Sequence, residues 1–491
     1  MKKVTLFLFL CISSVNLSAQ YPGDIAIAEK YLQFAEDAIS KNQWDRAKAV
    51  LERASDFSDV LSDISYLMAH AVLKNDGNRR LALAVLDQAI KTMHWLIYTE
   101  AQARLLQAEQ HLILRNYYAA LDYLEEYKNT VGDSIESALM RLAAYKGLNN
   151  STQFRHYMTE TLSLYPRDPR PIKAFFNYAR QTEPDEIDTG LLEIILKRLP
   201  FILESDPDLA WMAVSYIADT EEASRLVSSY RSGSIKPLPD FKPNPASIVP
   251  ALNLGLLDDL DAVEELFNNT SIDKDLIIVI GNLLRSKEGR NLMAEKLHSF
   301  SGEIIEDEDK DGFAESRAVY KQGLLQEYFH DADQDGTYNI KVFFKAGEIQ
   351  LAETFSLPEK ETGRTEAIIL WEQYPSAKQI VLGKEVYFFA PRDFQYAAVS
   401  FIEIGASDAF SGLIFPQINP LCQEITQLML FSFASSVQRP SLEFEGGIEY
   451  LLLNKGVPER SEIKINDKTV SITVFEKGKP VIQRMDLLYN D

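Results

Sequence analysis

The sequence has few cysteines and histidines, the residues that commonly form disulfide bonds and catalytic centres. Its 491 residues include only two cysteines, Cys11 and Cys422, and Cys11 lies in a stretch that we expect to be removed. A single remaining cysteine cannot form an internal disulfide bond, so the mature fold must depend on its core. All six histidines lie at or before His330. A Ser-His-Asp or Cys-His centre is therefore not expected beyond that residue.

Sequence motifs for the commoner enzyme sites are also missing. The chain contains no glycine-rich phosphate loop, no HExxH and no CxxC. Basic residues are in deficit, with 50 Lys and Arg against 72 Asp and Glu, which gives a formal net charge of −22. Such a field repels nucleic acid and anionic lipid and attracts cations. We expect partners among proteins, cations and neutral glycans, unless the acidity only maintains solubility.

Residues 1–20 have the pattern of a secretory signal peptide. Lys2 and Lys3 precede an apolar run, which ends at small residues around Ala19. Cys11 follows Phe9 and Leu10 rather than small residues, so lipidation is not expected. No later run reaches the roughly 18 apolar residues that a membrane span needs. The sequence therefore predicts a periplasmic or secreted protein without a membrane-spanning segment.

Up to about residue 300, apolar residues recur at the three- and four-residue spacing of amphipathic helices. A short phrase repeats in this part, as Ala47–Leu51, Ala82–Leu86 and Ala120–Leu124, and Phe154 and Met158 suggest a fourth copy. The spacing resembles the 34-residue tetratricopeptide (TPR) pattern of paired helices. The resemblance implies a solenoid of helical hairpins that binds a protein or peptide and has no catalytic activity. An irregular helical bundle with accidental spacing is the alternative.

The first copy of the repeat carries the resemblance best. The small residues are expected to let its two helices approach closely, and the large ones to fill the gaps between them. These packing residues are Tyr31, Phe34, Ala35, Ala38, Ala47, Leu51 and Ala54.

A change of composition predicts the domain boundaries. Five prolines fall between residues 237 and 250, which is too dense for a helix interior. We therefore predict an α-solenoid over residues 21–231, a Pro-rich linker over 232–252, a helical cap over 253–300 and an antiparallel β-domain over 301–491. The fold class is α+β and multidomain.

A nine-residue acidic signature occurs twice in the predicted β-domain, 24 residues apart. Carboxylates at positions 1, 3 and 5, with glycine at position 6, bring oxygen ligands round one point, and position 9 closes the site. An EF-hand would need Glu at position 12, where this chain has Ala318 and Val342. The pattern resembles the shorter calcium loops of β-rich extracellular modules. The predicted calcium ligands are Asp307, Asp309, Asp311 and Glu315, and then Asp331, Asp333, Asp335 and Asn339. Tight Asp-Gly turns flanked by solvated acids are the alternative.

The acidic signature belongs to a longer repeated unit. Alternating strands follow each copy and run into the turns Lys321–Gly323 and Lys345–Gly347, which are also 24 residues apart. The hairpin half returns near Lys455-Gly456 and Lys477-Gly478. The sequence thus predicts a repeat of acidic loop, strand, turn and strand.

The functional prediction is a non-catalytic TPR-type scaffold for protein–protein interaction, with a β-domain braced by calcium. The first alternative is a protein that binds cell wall or glycans through aromatic strands, such as the segment from Tyr387 to Phe401, although sheet core is the commoner role of such residues. A glycan-processing hydrolase is the third reading, because paired carboxylates leave no spacing signature.

Overall fold

The computed structural model describes residues 22–484, except residues 59, 76, 184–185, 238, 240, 309–311, 337, 356–365, 406–411 and 420–424. The predicted signal peptide, residues 1–20, lies outside the described residues. The chain divides into two compact units. The first unit comprises residues 1–165 with 335–337, and the second comprises residues 166–334 with 338–491.

Four consecutive helical hairpins make up the first unit. Their helices are α1 Pro22–Ser40 with α2 Trp44–Phe57, α3 Ser62–Asn75 with α4 Arg79–Thr92, α5 Glu100–Ile113 with α6 Tyr117–Val131, and α7 Ile135–Gly147 with α8 Ser151–Leu164. Each helix packs against the next along the chain, so the hairpins stack in series. This is the predicted α-solenoid of TPR-like hairpins.

Buried residues recur at the predicted places in the second helix of each hairpin. Ala47 and Leu51 of α2 are fully buried, as are the equivalent pairs of α4 and α6, and Met158 of α8. Ala contacts permit close helix approach, and Leu fills the remaining space. The prediction for Phe34 was wrong, because 59% of its surface is exposed and its ring meets Tyr31 edge-on.

The connection between α4 and α5 is held by one buried carboxylate. Asp63, at the start of α3, is fully buried and accepts hydrogen bonds from the backbone N–H groups of Leu96, Ile97 and Tyr98 at 2.8–2.9 Å. Thr99 then begins α5 with a capping box. These bonds satisfy backbone groups that would otherwise lack partners, so they fix the stacking of the second and third hairpins.

Helices continue through the first part of the second unit. They are α9 Arg170–Ala179, α10 Thr189–Arg198, α11 Leu209–Ala213, α12 Thr220–Arg231, α13 Ile248–Asn253, α14 Asp259–Phe267, α15 Lys274–Leu283 and α16 Lys287–His298. A three-residue strand, β1 Ser271–Asp273, interrupts them and pairs in parallel with β2. This strand is an exception in a part of the chain that is otherwise helical, and its backbone is satisfied against the neighbouring sheet. Among the described residues, no helix is long and apolar enough to cross a membrane.

The strand-rich part follows as a meander. Its elements are β2 Gly302–Glu306, β3 Ser316–Lys321, β4 Leu324–His330, β5 Ile340–Lys345, β6 Glu348–Phe355, β7 Glu366–Gln373, β8 Ser376–Leu382, β9 Glu385–Phe388, β10 Val399–Ile404, β11 Leu413–Ile418, helix α17 Gln427–Phe433, β12 Ser436–Pro440, β13 Ile448–Asn454, β14 Val457–Ile465, β15 Lys468–Glu476 and β16 Lys479–Arg484. Fourteen described strands form one sheet in the order β1 to β9 and then β12 to β16, while β10 and β11 pair separately. Every pairing after β1–β2 is antiparallel. The fold class is thus a helical solenoid followed by an antiparallel strand-rich domain.

The repeated hairpin turns lie where the sequence placed them. The first has Gln322 at φ 51° and Gly323 at φ 71°, and the second has Ala346 at 54° and Gly347 at 81°. Two consecutive left-handed residues suit the twist of a tight hairpin. The turns at Lys455-Gly456 and Lys477-Gly478 have the same conformation, so the predicted hairpin units are confirmed.

One hydrophobic core serves most of the second unit. It joins buried residues of the segment 248–300, such as Ile277, to strand residues such as Tyr387 and to Phe415 of β11. The segment predicted as a helical cap therefore shares its core with the strands. The predicted domain boundaries themselves stay predictions.

Candidate functional site

The two acidic signatures form loops at the same end of the sheet. The first acidic loop, residues 307–315, joins β2 to β3, and the second acidic loop, residues 331–339, joins β4 to β5. Because β2 to β5 are consecutive antiparallel neighbours, both loops lie at the same end of these strands. Asp309 and Asp311 of the first loop lie outside the described residues.

The loops share one hydrogen bond that fixes their shape. In the first loop, the N–H of Glu308 donates to Oε2 of Glu315 at 2.7 Å. In the second loop, the N–H of Ala332 donates to Oδ1 of Asn339 at 2.5 Å. Position 9 thus closes each loop onto position 2. An oxygen is required there, and both Glu and Asn provide one.

The second loop also braces the first. Gln334 donates its amide N–H groups to Oε1 of Glu315 at 2.9 Å and to the carbonyl of Phe313 at 3.2 Å. Glu315 is 2% exposed, and both of its carboxylate oxygens accept hydrogen bonds. The side chain predicted as the closing ligand of the first loop therefore serves as a buried acceptor that ties the loops together.

Three predicted ligands meet in the second loop. Asp331, Asp333 and Asp335 each offer one carboxylate oxygen, and these oxygens lie within 4.8 Å of one another. Oxygens that bind one calcium ion at about 2.3–2.6 Å lie at most about 5 Å apart, so the spacing suits such an ion. In the first loop, Oδ2 of Asp307 accepts the N–H of Gly312 at 2.9 Å. The eighth predicted ligand, Asn339, bonds Ala332 as described above.

Asp335 also has a cationic partner within the first unit. Its Oδ2 accepts a hydrogen bond from Nε of Arg80 at 3.1 Å, and its carbonyl accepts the N–H of Arg79 at 2.9 Å. The Asp335 side chain is 1% exposed, whereas Arg80 is 48% exposed. Burial of this carboxylate is therefore compensated by a partner that solvent partly screens.

A buried polar network beside the loops was missed by the sequence reasoning. The Ser316 hydroxyl lies 2.9 Å from Nδ1 of His330 and 3.0 Å from the Tyr328 hydroxyl. All three side chains are buried, and burial raises the pKa of Tyr328 to about 12. The period-2 alternation of β3 was the available signal, and antiparallel pairing with β4 then places His330 opposite Ser316. The network anchors the strand ends at which the first loop ends and the second loop begins.

Comparison with known proteins identifies similar chains. No family model matches this sequence. An "Uncharacterized protein" of Treponema pallidum is 21% identical over 578 aligned residues, which take in 94% of this chain and 71% of the relative.

Similar solved structures include several helical-repeat proteins. MamA from Desulfovibrio magneticus is 17% identical and covers 35% of this chain and 93% of its own, with a TM-score of 0.31. PilF of Pseudomonas aeruginosa is 11% identical over 43% of this chain and 93% of its own, at 0.35. A tetratricopeptide repeat protein of Parabacteroides merdae is 12% identical over 55% and 90%, at 0.34. At these TM-scores the likenesses carry no argument about function.

Proposed function

We propose that this protein is a non-catalytic scaffold that holds a protein or peptide partner on the hairpins α1 to α8. The observation that carries the proposal is the amount of large apolar surface left exposed on that array. Phe34 is 59% exposed, Met93 65% and Tyr118 74%. Apolar surface of this kind stabilises an interface when a partner covers it. A stack of hairpins presents such side chains on a rigid support.

Photo-crosslinking tests this proposal on the full-length chain. A photoreactive amino acid is placed at Phe34 or at Tyr118, and a control carries it at Leu442, which is 94% exposed in the second unit. The proteins are then exposed to extract of the producing cells and irradiated. The proposal expects one discrete protein adduct from the two helical positions and none from Leu442. Equal labelling at all three positions, or no adduct from any, would contradict it.

Of the aromatic residues from Tyr387 to Phe401, Phe401 is 40% exposed, but the buried ones give no support to glycan binding as a second function. Phe389, Phe394 and Tyr396 are each less than 10% exposed and belong to the core. Their faces pack on neighbouring rings, with Phe389 and Phe394 stacked at 4.7 Å. A stacking platform for a sugar needs an accessible ring face.

Calcium is the second part of the proposal. We infer that the acidic loops bind it through the predicted carboxylates, and the spacing of the Asp331, Asp333 and Asp335 oxygens supports this. An ion bound only by the folded state stabilises it by about 2.7 kcal/mol at a hundredfold excess over Kd. A thermal-shift titration should show that stabilisation, and the double variant Asp309→Ala with Asp333→Ala should remove it. If the wild-type chain responds neither to calcium nor to terbium, the proposal that the acidic loops bind calcium is refuted.

The expected location of this scaffold is the periplasm or the exterior of the cell. The basic start and apolar run of residues 1–20 support export. Fractionation of cells that produce the full-length chain should recover it outside the cytoplasm and shortened at about residue 20. Recovery of the uncut chain in the cytoplasm would refute this part of the proposal.

A further inference from the structure

A groove of about 420 Å³ lies between the second and third helical hairpins. Its walls come from α4, with Asp87 and Ile90, and from α6, with Asp122 and Tyr123, while Gln107 of α5 lies between them. All of these residues belong to the first unit. Short connections hold the three helices together, so the groove is part of a rigid array rather than of a loop.

The groove has an excess of carboxylates. Three carboxylates, those of Asp87, Asp122 and Glu126, line it together with two cations, Lys91 and Arg104. Arg104 is already neutralised, because it pairs with Glu126 and with Glu100, the latter at 2.7 Å.

Asp87 and Asp122 are the acids that Arg104 leaves without a charge partner. Within the described part of the chain, Asp122 has no ion pair, and the hydrogen bond to Asp87 comes from the neutral amide of Gln107. Two carboxylates therefore remain to attract a cation that enters the groove. Among the described residues, Lys91 is the one lining cation that would repel it and has no role in the Arg104 pairs.

Gln107, another residue that lines the groove, carries an acceptor without a donor. Its side chain is fully buried, and its amide nitrogen donates to Oδ1 of Asp87 at 2.6 Å. Because a carboxylate accepts only, the nitrogen must face Asp87 and the amide oxygen must face away. That oxygen, Oε1, accepts no hydrogen bond from any described residue. A buried acceptor without a donor costs about 1–3 kcal/mol, so a ligand donor at this position would be stabilising.

An aromatic ring completes the wall. Tyr123 stacks on His111 with their centroids 5.2 Å apart and an angle of 11° between the planes. Burial lowers the pKa of His111, so its imidazole is uncharged at neutral pH and contributes no repelling cation. The electron-rich face of a tyrosine attracts a planar cation.

We propose that the groove receives an arginine side chain from the partner of the scaffold, an inference that rests on the function proposed above. A guanidinium has five donors, no acceptor and a planar face, and it stays charged at every physiological pH. The groove offers the complementary set, which is two carboxylates without a cation, an amide oxygen and a ring. A lysine ammonium could satisfy the carboxylates but lacks the planar face and the forked donors.

Binding of a blocked amino acid to the full-length protein tests the inference. N-acetylarginine methylamide is titrated by saturation-transfer NMR, with the equivalent blocked citrulline and blocked lysine as separate probes. Saturable binding of the arginine probe is expected, with the neutral citrulline probe and the lysine probe at least about tenfold weaker. Equal binding of citrulline would show that charge is not recognised, and equal binding of lysine would refute the choice of arginine.

Single substitutions assign the binding to this groove. Asp122→Asn and Asp87→Asn should each weaken the arginine probe by roughly tenfold, since each removes one charge-assisted contact. Asp56→Asn, an exposed residue of α2, makes the same change of charge outside the groove and should leave binding unchanged. Circular dichroism and melting temperature confirm that the variants are folded. If Asp56→Asn weakens binding as much, general electrostatics accounts for the effect and the inference fails.

The two proposals fail separately. If the arginine probe does not bind while photo-crosslinks still form at Phe34 or Tyr118, the groove inference is refuted and the scaffold proposal stands. If the arginine probe binds in the groove and no partner crosslinks to either position, the scaffold proposal is refuted instead.

Discussion

The two acidic loops share a nine-residue pattern but not their surroundings. A Cβ added to Gly312 of the first loop would meet no atom of the described residues within 4 Å. A Cβ on Gly336, the equivalent residue of the second loop, would lie 1.7 Å from the carbonyl oxygen of Gly77. The second loop also gathers three carboxylates and pairs Asp335 with Arg80. A repeated sequence therefore determines the turn, while its non-repeated neighbours determine what each copy can do.

The largest expected effect is a difference in stability between alanine variants of the two glycines. Gly312→Ala should cost about 1 kcal/mol of unfolding free energy, since φ is +101° but no described residue would collide with the added methyl group. Gly336→Ala meets both a positive φ and a backbone collision, so we expect about 3 kcal/mol or more. Urea denaturation followed by circular dichroism measures both. Equal losses would show that the surroundings of the two loops do not differ in the way described.

The second effect concerns the acceptors at position 9. Glu315→Ala leaves the Glu308 N–H and the Gln334 amide without this acceptor, and we expect a loss of about 1–3 kcal/mol. Asn339→Ala removes the acceptor of one N–H and should cost less. Glu315→Gln retains an oxygen and is the control. If the order of Glu315→Ala and Asn339→Ala is reversed, Glu315 does not brace the two loops.

A smaller effect is expected from the partner of Asp335. Arg80→Ala removes one cationic donor from a buried carboxylate, but Arg80 is about half exposed, so we expect about 1–2 kcal/mol. Calcium at the second loop would replace the missing positive charge, and saturating calcium should therefore reduce this loss. Thermal denaturation with and without calcium measures it, with Arg53→Ala, an exposed arginine of α2, as the control. A loss that calcium leaves unchanged would argue against an ion beside Asp335.

The smallest change in stability should follow Asn339→Asp. Without calcium we expect a difference within about 0.5 kcal/mol, because an oxygen still accepts the Ala332 N–H. With calcium, the added carboxylate makes the second loop resemble the first and should tighten binding several-fold. Terbium luminescence titration gives the affinity. An unchanged affinity would mean that position 9 is not a ligand.

Sequence reasoning succeeded where the signal is local. The Ala and Leu spacing of α2, α4 and α6 predicted which side chains are buried, because helical periodicity alone orients them. The Lys-x-Gly turns predicted the hairpins, because the conformation of a tight turn depends on the few residues within it. Phe34 was misplaced because the repeat pattern does not reveal that its ring meets Tyr31 outside the helix interface.

What the sequence could not predict depends on residues far apart in the chain. Arg80 and Asp335 are separated by 255 positions, and no periodicity connects them. The sequence also does not show that Gln334 and Glu308 donate to the two carboxylate oxygens of Glu315. Calcium binding by Glu315 stays a prediction. The groove likewise needs three helices to be placed before Gln107 and Asp87 meet.

The order of the strands has one further consequence. From β2 to β8, every strand lies between its nearest neighbours in sequence. Duplication or deletion of one hairpin of 24 residues would therefore lengthen or shorten the sheet and leave the remaining pairings unchanged. The number of strands is thus a property that gene duplication can alter one hairpin at a time, and homologous chains of different length are expected to differ by such steps.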